Sequence, residues 1–285
     1  MTIDESYKHF VKELKIIYDE RESNNIADWV FENTGIKKLD RITAKQQQLS
    51  HLTLIQLSNK LEELLTHKPV QYVLGEAWFY KMKFRVNEHV LIPRPETEEL
   101  VEWVVEEIRN KKVSDSSFTI VDIGTGSGCI AVALKKELLR AELFAIDIST
   151  DALLVAKQNA QDQNVNINFL QLDFLNEKDW KTLPSFNIIV SNPPYIPENE
   201  KNKLGKNVVD YEPHIALFVT ENDPFIFYKK MASFAEKHLK EKGKTFVEVH
   251  EDYSNEVQQI FAKKNFTTEI KKDIYGRDRM VKAYR

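Results

Sequence analysis

The stretch Val121-Asp122-Ile123-Gly124-Thr125-Gly126-Ser127-Gly128 joins a short apolar strand to the start of a helix. Glycine lets a backbone turn tightly and approach a ligand without hindrance from a Cβ atom. The helix that follows has free N–H groups in its first turn, and these can bind an anion or a carboxylate. The stretch is therefore a candidate ligand-binding loop at the end of a strand.

Strand and helix patterns alternate from residue 118 to the end of the chain. Predicted strands cover residues 118–123, 143–148, 167–172, 186–190, 245–249, 266–270 and 280–284. Predicted helices cover residues 130–139, 152–160, 225–239 and 257–262. This alternation predicts an α/β fold, in which a mostly parallel sheet carries helices on both faces.

Asp147 ends the second of these strands, at about the distance from the glycines at which an acidic residue binds ribose hydroxyls in dinucleotide folds. The loop spacing is G-x-G-x-G, and Cys129 stands where a dinucleotide fingerprint has its third glycine. With the acidic Asp122 before it, this spacing is typical of S-adenosylmethionine enzymes and disfavours a dehydrogenase. Phe174 follows the third strand, where it is either a stacking surface for adenine or an ordinary core residue.

A second unit, Ser191-Asn192-Pro193-Pro194-Tyr195, follows the strand at residues 186–190. Proline cannot continue a β-ladder and stiffens the backbone, so Asn192 is held at the carboxyl edge of the sheet, where ligands bind. The Asn192 amide oxygen and the Pro193 carbonyl can accept both hydrogens of a planar NH2 group, and the Tyr195 ring can cover its flat face. The alternative is a plain Asn-Pro turn.

The composition of the chain argues against several classes of protein. A length of 285 residues suits one large domain plus a smaller one, and a net charge of −4 gives no global basic field for nucleic acid. The single cysteine leaves no disulfide framework, and the seven histidines lack metal-ligand spacing. The polar residues 1–10 do not form a signal peptide, and no run is long enough for a membrane helix. We expect a cytoplasmic protein without a metal.

The chain is predicted to have three parts. Residues 1–74 show apolar residues at helical spacing and predict a small helical bundle, which either stabilises the fold or docks a partner. Residues 75–91 predict a β-hairpin linker, and residues 92–285 the catalytic domain. Thr97 is expected to cap a helix that begins at Glu98. Residues 196–223 predict a lid or substrate-binding loop, or else a loosely ordered surface loop.

With these residues assembled, the chain resembles the protein-(glutamine) methyltransferases that modify peptide chain release factors, the PrmC/HemK family. The resemblance covers nearly the whole chain and rests on several motifs. They are Leu91-Ile92-Pro93-Arg94-Pro95-Glu96-Thr97-Glu98, residues 122–128, residues 192–195, Tyr211-Glu212-Pro213 with Ala216-Leu217, and Asp273 with Gly276 and Arg279.

The resemblance implies a Rossmann-like class I S-adenosylmethionine-dependent methyltransferase domain with a mostly parallel seven-stranded sheet. Its reaction would methylate the glutamine amide of a Gly-Gly-Gln motif in class 1 release factors, the proteins of translation termination. The implied cofactor site comprises Gly124, Thr125, Gly126, Ser127, Gly128, Asp147, Phe174 and Asn192. The implied substrate site comprises Asn192, Pro193, Pro194 and Tyr195, of which Asn192, Pro193 and Tyr195 are expected to be catalytic. We expect a monomer that contacts neither nucleic acid nor membrane.

Other functions are compatible with parts of the sequence. An adenine amino-methyltransferase acting on DNA or RNA would use the same Asn-Pro-Pro-Tyr unit on a flipped base, but it needs a basic groove or a recognition domain. A methyltransferase for glutamine in another protein would use the same site. A nonenzymatic nucleotide-binding scaffold would use the glycine loop, while its second domain docks a partner.

Overall fold

A computed structural model describes residues 1–110 and 118–285. The structure divides into two compact units, Met1–Glu76 with Gly205–Tyr211, and Ala77–Leu204 with Glu212–Arg285. The hairpin therefore groups mainly with the larger unit, and a short piece of the long segment groups with the smaller one. The predicted domain bounds at residues 74 and 91 stay predictions.

The first unit is a bundle of helices. They are α1 (Ile3–Leu14), α2 (Glu20–Asn33), α3 (Lys38–Thr43), α4 (His51–Leu65) and α5 (Val70–Leu74). Thr2, Asp19 and Ser50 start α1, α2 and α4, because the oxygen of each side chain accepts a hydrogen bond from a first-turn N–H group. The buried faces of α1, α2 and α4 form one core, which includes Phe10, Leu14, Val30, Phe31 and Leu64.

One helix of this unit is absent from the sequence prediction. The pattern does not predict α3, which is short and contributes no buried residue. Helix α5 lies at the end of the predicted helical part, and Gly75 ends this helix in the left-handed conformation at φ +70°.

The second unit holds the remaining strands and most of the remaining helices. The strands are β1 (Glu76–Phe79), β2 (Met82–Arg85), β3 (Thr119–Ile123), β4 (Glu142–Asp147), β5 (Asn168–Gln171), β6 (Phe186–Ser191), β7 (Ile196–Pro197), β8 (Phe218–Val219), β9 (Leu239–Glu248), β10 (Thr267–Lys272) and β11 (Asp278–Tyr284). The helices that follow α5 in the chain are α6 (Pro95–Asn110), α7 (Cys129–Glu137), α8 (Thr150–Asp162), α9 (Lys206–Val209), α10 (His214–Leu217), α11 (Ile226–His238) and α12 (Ser254–Ala262). Of these, α9 belongs to the first unit.

A seven-stranded sheet with the order β10-β11-β9-β6-β3-β4-β5 forms the centre of the second unit. The pairs β6–β9, β3–β6, β3–β4 and β4–β5 are parallel, and β11 runs antiparallel to both of its neighbours. The predicted mostly parallel sheet is confirmed. Side chains alternate along β3, where Ile120 packs with α6 and α7 on one face while Val121 packs with α11 and α12 on the other.

Strand register places the ends of four parallel strands at one edge. Ile123 at the end of β3 pairs with Ile146 of β4, and Ser191 at the end of β6 pairs with Val247 of β9. The Ser191 hydroxyl donates a 2.7 Å hydrogen bond to the carbonyl oxygen of Ile123. The glycine loop and the Asn-Pro-Pro-Tyr unit therefore leave the sheet side by side.

The segment at residues 196–223 contains short ordered elements, so the alternative of a loosely ordered surface loop is wrong, and its role as a lid or substrate-binding loop stays a prediction. Its two ends are joined by the parallel pairing of β7 with β8, through Ile196–Phe218 and Pro197–Val219. A 3₁₀ turn at Glu198–Lys203 and the helices α9 and α10 lie between them. Within the first unit, the Tyr211 hydroxyl donates a 2.9 Å hydrogen bond to the carbonyl oxygen of Thr66.

Among the described helices, none combines the length and the apolar composition that a membrane span requires.

Gly128 makes the glycine loop sensitive to substitution. It has φ +79°, and a Cβ atom there would lie 3.0 Å from the Cβ of Ala156 on α8. We expect Gly128→Ala to lower the free energy of unfolding of the second unit by about 2–4 kcal/mol, through backbone strain and crowding together. Urea unfolding without cofactor measures this.

Gly276 supplies the matched control, since it has φ +80° but a Cβ atom there would meet no other atom within 4 Å. Gly276→Ala is expected to cost only the backbone strain, about 1–2 kcal/mol. Equal losses for the two variants would contradict the close approach of α8 to the loop.

Candidate active site

A cavity of about 180 Å³ lies at the carboxyl edge of the sheet, where β3, β4 and β6 end. Of the residues that the sequence assigned to the two sites, the cavity is lined by Gly124, Gly126, Asp147, Phe174, Asn192, Pro193 and Pro194. Within the described part of the chain, the lining does not include Thr125, Ser127, Gly128 or Tyr195. The structure therefore brings most of both predicted sites into one cavity.

The glycine loop turns its backbone towards open space. The N–H groups of Gly124 and Thr125 both donate to the carbonyl oxygen of Ile146, over 2.9 and 3.0 Å. Gly124 and Gly126 have φ +70° and +52°, and a Cβ atom at either would meet no atom within 4 Å. A ligand can therefore approach the main chain closely at both positions.

Thr125 and Asp122 support the loop from behind. The Thr125 hydroxyl donates a 2.6 Å hydrogen bond to Oδ2 of Asp122, and both side chains are buried. Burial raises the pKa of Asp122 to about 7, although this hydrogen bond acts in the opposite direction. The contact gives Thr125 a role in holding the loop in shape, and its predicted contact with the cofactor stays a prediction.

Asp147 lies at the end of β4 with both carboxylate oxygens anchored. Oδ2 accepts a 2.9 Å hydrogen bond from the N–H of Gly126, and Oδ1 accepts a 3.0 Å bond from the N–H of Ser149. Burial raises the pKa of Asp147, and these backbone donors counteract part of that rise. Each carboxylate oxygen has a second lone pair, so Asp147 can still accept hydrogen bonds from the hydroxyls of a ligand in the cavity.

Phe174 borders the cavity but belongs mainly to the core. Its ring stacks on Trp180 at 5.4 Å between centroids and contacts the edge of Phe234 at 5.5 Å, and only 6% of the residue is exposed. These contacts favour the core alternative, and the adenine role of Phe174 stays a prediction.

Ile148 also borders the cavity and is half-exposed beside Asp147, so it offers an apolar surface that the sequence pattern does not identify.

The side chain of Asn192 is anchored by Thr97 of α6. Its Nδ2 donates a 3.1 Å hydrogen bond to Oγ1 of Thr97, and Thr97 donates a 2.7 Å bond to Oε2 of Glu248. The prediction that Thr97 caps a helix beginning at Glu98 is wrong, because α6 begins at Pro95 and Thr97 lies inside its first turn. Glu248 is the last residue of β9, and no sequence motif identifies it as part of the site.

Tyr195 makes a second contact with Glu248. Its hydroxyl donates a 3.2 Å hydrogen bond to Oε1 of Glu248, and its ring packs against the core on the α11 side of the sheet. Burial, reinforced by the charge of Glu248, raises the pKa of Tyr195, so the phenol keeps its proton. The predicted packing of this ring on a substrate amide stays a prediction.

Two segments that border the cavity are joined by Glu212. This side chain is 3% exposed, and it accepts hydrogen bonds from the N–H of Ile92 at 3.1 Å and from Nη2 of Arg94 at 2.5 Å. Leu91 precedes one partner and Pro213 follows Glu212, and both line the cavity. The ion pair therefore holds these two parts of the cavity wall together.

Comparison with known proteins finds similar sequences that cover most of the chain. A family model described as methyltransferase small domain matches residues 102–213. The chain is 43% identical over 286 residues to a release factor glutamine methyltransferase of Flavobacterium psychrophilum, with 99% of each chain covered. It is 38% identical over 252 residues to a release factor glutamine methyltransferase of Bacteroides thetaiotaomicron, with 88% of each covered.

A solved structure shares the fold. A methyltransferase from Pyrococcus furiosus superposes with a TM-score of 0.51 at 14% identity, covering 80% of this chain and 98% of that one. At this identity the likeness concerns the fold alone.

The ion pair at Glu212 leads to a prediction about ligand affinity. We expect Glu212→Gln to weaken the binding of S-adenosylmethionine about tenfold, because a charged hydrogen bond of about 1.5 kcal/mol no longer holds the wall. Isothermal titration calorimetry measures the effect. Glu256→Gln on α12 is the control, since this glutamate is exposed. Unchanged affinity in Glu212→Gln would contradict the role of the ion pair.

Proposed function

The chain belongs to the family of release factor glutamine methyltransferases, and on this premise we propose its substrate and the roles of its residues. The enzyme is a methyltransferase with the class I fold, and its methyl donor is S-adenosylmethionine. We propose that the acceptor is the side-chain amide nitrogen of the glutamine in the Gly-Gly-Gln motif of class 1 peptide chain release factors.

The observation that carries this proposal is the shared cavity. Asn192 and Pro193 border the same space as the glycine loop and Asp147. An NH2 group bound by the first pair of residues would therefore lie next to a cofactor held by the second pair. Neither site alone would indicate methyl transfer to an amide, because amide acceptors and glycine loops also occur separately in proteins of other function.

The residues around the cavity fit S-adenosylmethionine. Gly124 and Gly126 leave room for its methionine part, and Asp147 has free lone pairs for the ribose hydroxyls. Apolar side chains, including Ile148 and Leu172, form a wall suited to a flat base. When bound, the cofactor supplies an electrophilic methyl group on a positively charged sulfur.

The proposed task of Asn192 and Pro193 is to make a poor nucleophile reactive. The lone pair of an amide nitrogen is delocalised into its carbonyl group. If Oδ1 of Asn192 and the Pro193 carbonyl oxygen accept the two amide hydrogens, they stabilise the positive charge that develops on nitrogen in the transition state. They also fix the direction of the nitrogen lone pair. The amide proton can leave to solvent after the N–C bond has formed, so no general base is required beforehand.

The proposed reaction also implies a protein partner. The release factor is the protein substrate, and we infer that the enzyme acts as a cytoplasmic monomer without contacting nucleic acid. The charge of the chain argues against contact with nucleic acid, since 40 basic and 44 acidic residues leave a net charge of −4. A nucleic-acid enzyme of this size needs a concentrated basic surface to neutralise phosphates.

A methyl-transfer assay with labelled cofactor tests the acceptor. The acceptors are a purified class 1 release factor, the same factor with its Gly-Gly-Gln glutamine changed to alanine, and single-stranded and duplex DNA. Label on the intact factor alone is the expected result. Label on DNA would contradict the proposal and favour the adenine amino-methyltransferase.

The role of Asn192 gives a quantitative prediction. Asn192→Ala is expected to lower turnover about 100-fold or more, because one preorganised acceptor is lost from the transition state. Cofactor affinity should change little. Asn255→Ala, at an exposed position of α12, is the control and should keep full turnover. Near-normal turnover of Asn192→Ala with cofactor still bound would exclude this role.

A further inference from the structure

We propose that Glu248 is a positioning residue, which acts through Thr97 to hold the Asn192 carboxamide with its oxygen towards the substrate amide. The inference rests on the proposed function and deepens it, because it concerns the orientation of the main amide acceptor. Glu248 does not line the cavity in the described part of the chain, so its effect has to pass through its neighbours.

The register of the sheet places Glu248 beside Asn192. Ser191 pairs with Val247, and the next residues along these parallel strands are Asn192 and Glu248. Glu248 is 1% exposed. A buried carboxylate is costly unless it is hydrogen-bonded, and Glu248 receives one hydrogen bond from Thr97 and another from Tyr195. The acid therefore joins helix α6 to the Asn-Pro-Pro-Tyr unit beneath the cavity.

The hydrogen-bond chain has one consistent direction when Glu248 is ionised. A carboxylate only accepts hydrogen bonds, so the single proton of the Thr97 hydroxyl must point at Glu248. The Thr97 oxygen can then only accept from Asn192, and the group that donates is Nδ2, at 3.1 Å. The other end of the carboxamide, Oδ1, is left for the substrate.

The reverse orientation would oppose the reaction. The terminal torsion of an asparagine side chain is nearly two-fold, so the carboxamide can rotate by about 180° at little intrinsic cost. After such a rotation Nδ2 would face the hydrogens of the substrate NH2 group, and an acceptor would be replaced by a donor. The hydrogen bond to Thr97 selects the productive orientation.

The protonation state of Glu248 controls this selection. Burial raises the pKa of Glu248 to about 7, while the hydrogen bond from Thr97 acts in the opposite direction. The other titratable groups that face it are Glu96 of α6, Arg279 of β11, Tyr195 after β6, Cys129 of α7 and Tyr228 of α11.

A protonated Glu248 could donate a hydrogen bond to Thr97. The Thr97 hydroxyl would then be free to donate to Oδ1 of Asn192 and stabilise the reversed carboxamide. The ionised form is the productive one, so kcat is expected to fall as the pH drops through the pKa of Glu248 and to be retained above it.

The test compares Thr97→Val with Thr97→Ser. Valine has nearly the same shape but no hydroxyl, whereas serine keeps the hydroxyl and loses only a methyl group. Thr97→Val is expected to lower kcat for release-factor methylation about 100-fold. Its dissociation constant for S-adenosylmethionine should stay within about twofold of the wild type, because Thr97 does not border the cavity. Thr97→Ser should restore kcat to within a few-fold of the wild type.

Glu248→Gln supplies a second variant of nearly equal volume. Its side chain stays neutral at every pH, so the acid-side fall in kcat should disappear while the overall kcat is low. The melting temperature and calorimetric cofactor binding show whether each variant is folded. If Thr97→Val does not fold, the pH profile of Glu248→Gln decides the question.

The outcomes separate the two proposals. A wild-type enzyme that binds the cofactor but does not methylate glutamine overturns the proposed function, and with it the positioning role. A wild type that methylates glutamine, with equal kcat in Thr97→Val and Thr97→Ser, overturns only the role of Glu248. An unchanged pH profile in Glu248→Gln does the same.

Discussion

The parallel pairing of β3 with β6 is the constraint on which the rest of the site depends. It joins strands whose ends are 68 residues apart in the chain, and the Ser191 hydroxyl locks those ends together by its bond to Ile123. Because both strands run in the same direction, the glycine loop and the Asn-Pro-Pro-Tyr unit leave the sheet at the same edge. One unit can then bind a methyl donor while the other binds a methyl acceptor.

Three acids, of which Asp122 and Glu248 are fully buried, hold the connections at this edge in shape. Asp122 accepts from Thr125 beneath the glycine loop, Asp147 accepts from the loop N–H of Gly126, and Glu248 accepts from Thr97. Burial raises the pKa of each of these carboxyl groups. Local hydrogen bonds favour the charged form, so each acid is stabilised by the segment that it positions.

The sequence predicted what depends on local pattern. Glycine spacing, the prolines after β6 and the strand–helix alternation each report on a few consecutive residues, and the observed sheet confirms the mostly parallel arrangement that the alternation predicts. Thr97 was assigned wrongly because a threonine followed by glutamates looks like a helix cap, whereas its actual partner, Glu248, is 151 residues away. The short elements between β7 and β8 were also missed. The pairing of these two strands encloses them, and the residues between the strands show no regular periodicity that would predict them.

The most direct measurement is a crystal structure of the enzyme with S-adenosylhomocysteine and a peptide that carries the Gly-Gly-Gln motif. The glutamine amide nitrogen is expected to lie within hydrogen-bond distance of both Oδ1 of Asn192 and the carbonyl oxygen of Pro193. Nδ2 of Asn192 is expected to donate still to Thr97, with the amide nitrogen facing the cofactor sulfur. A glutamine bound away from Asn192, or one that contacts Nδ2 in place of Oδ1, would contradict the proposed roles of Asn192 and Pro193.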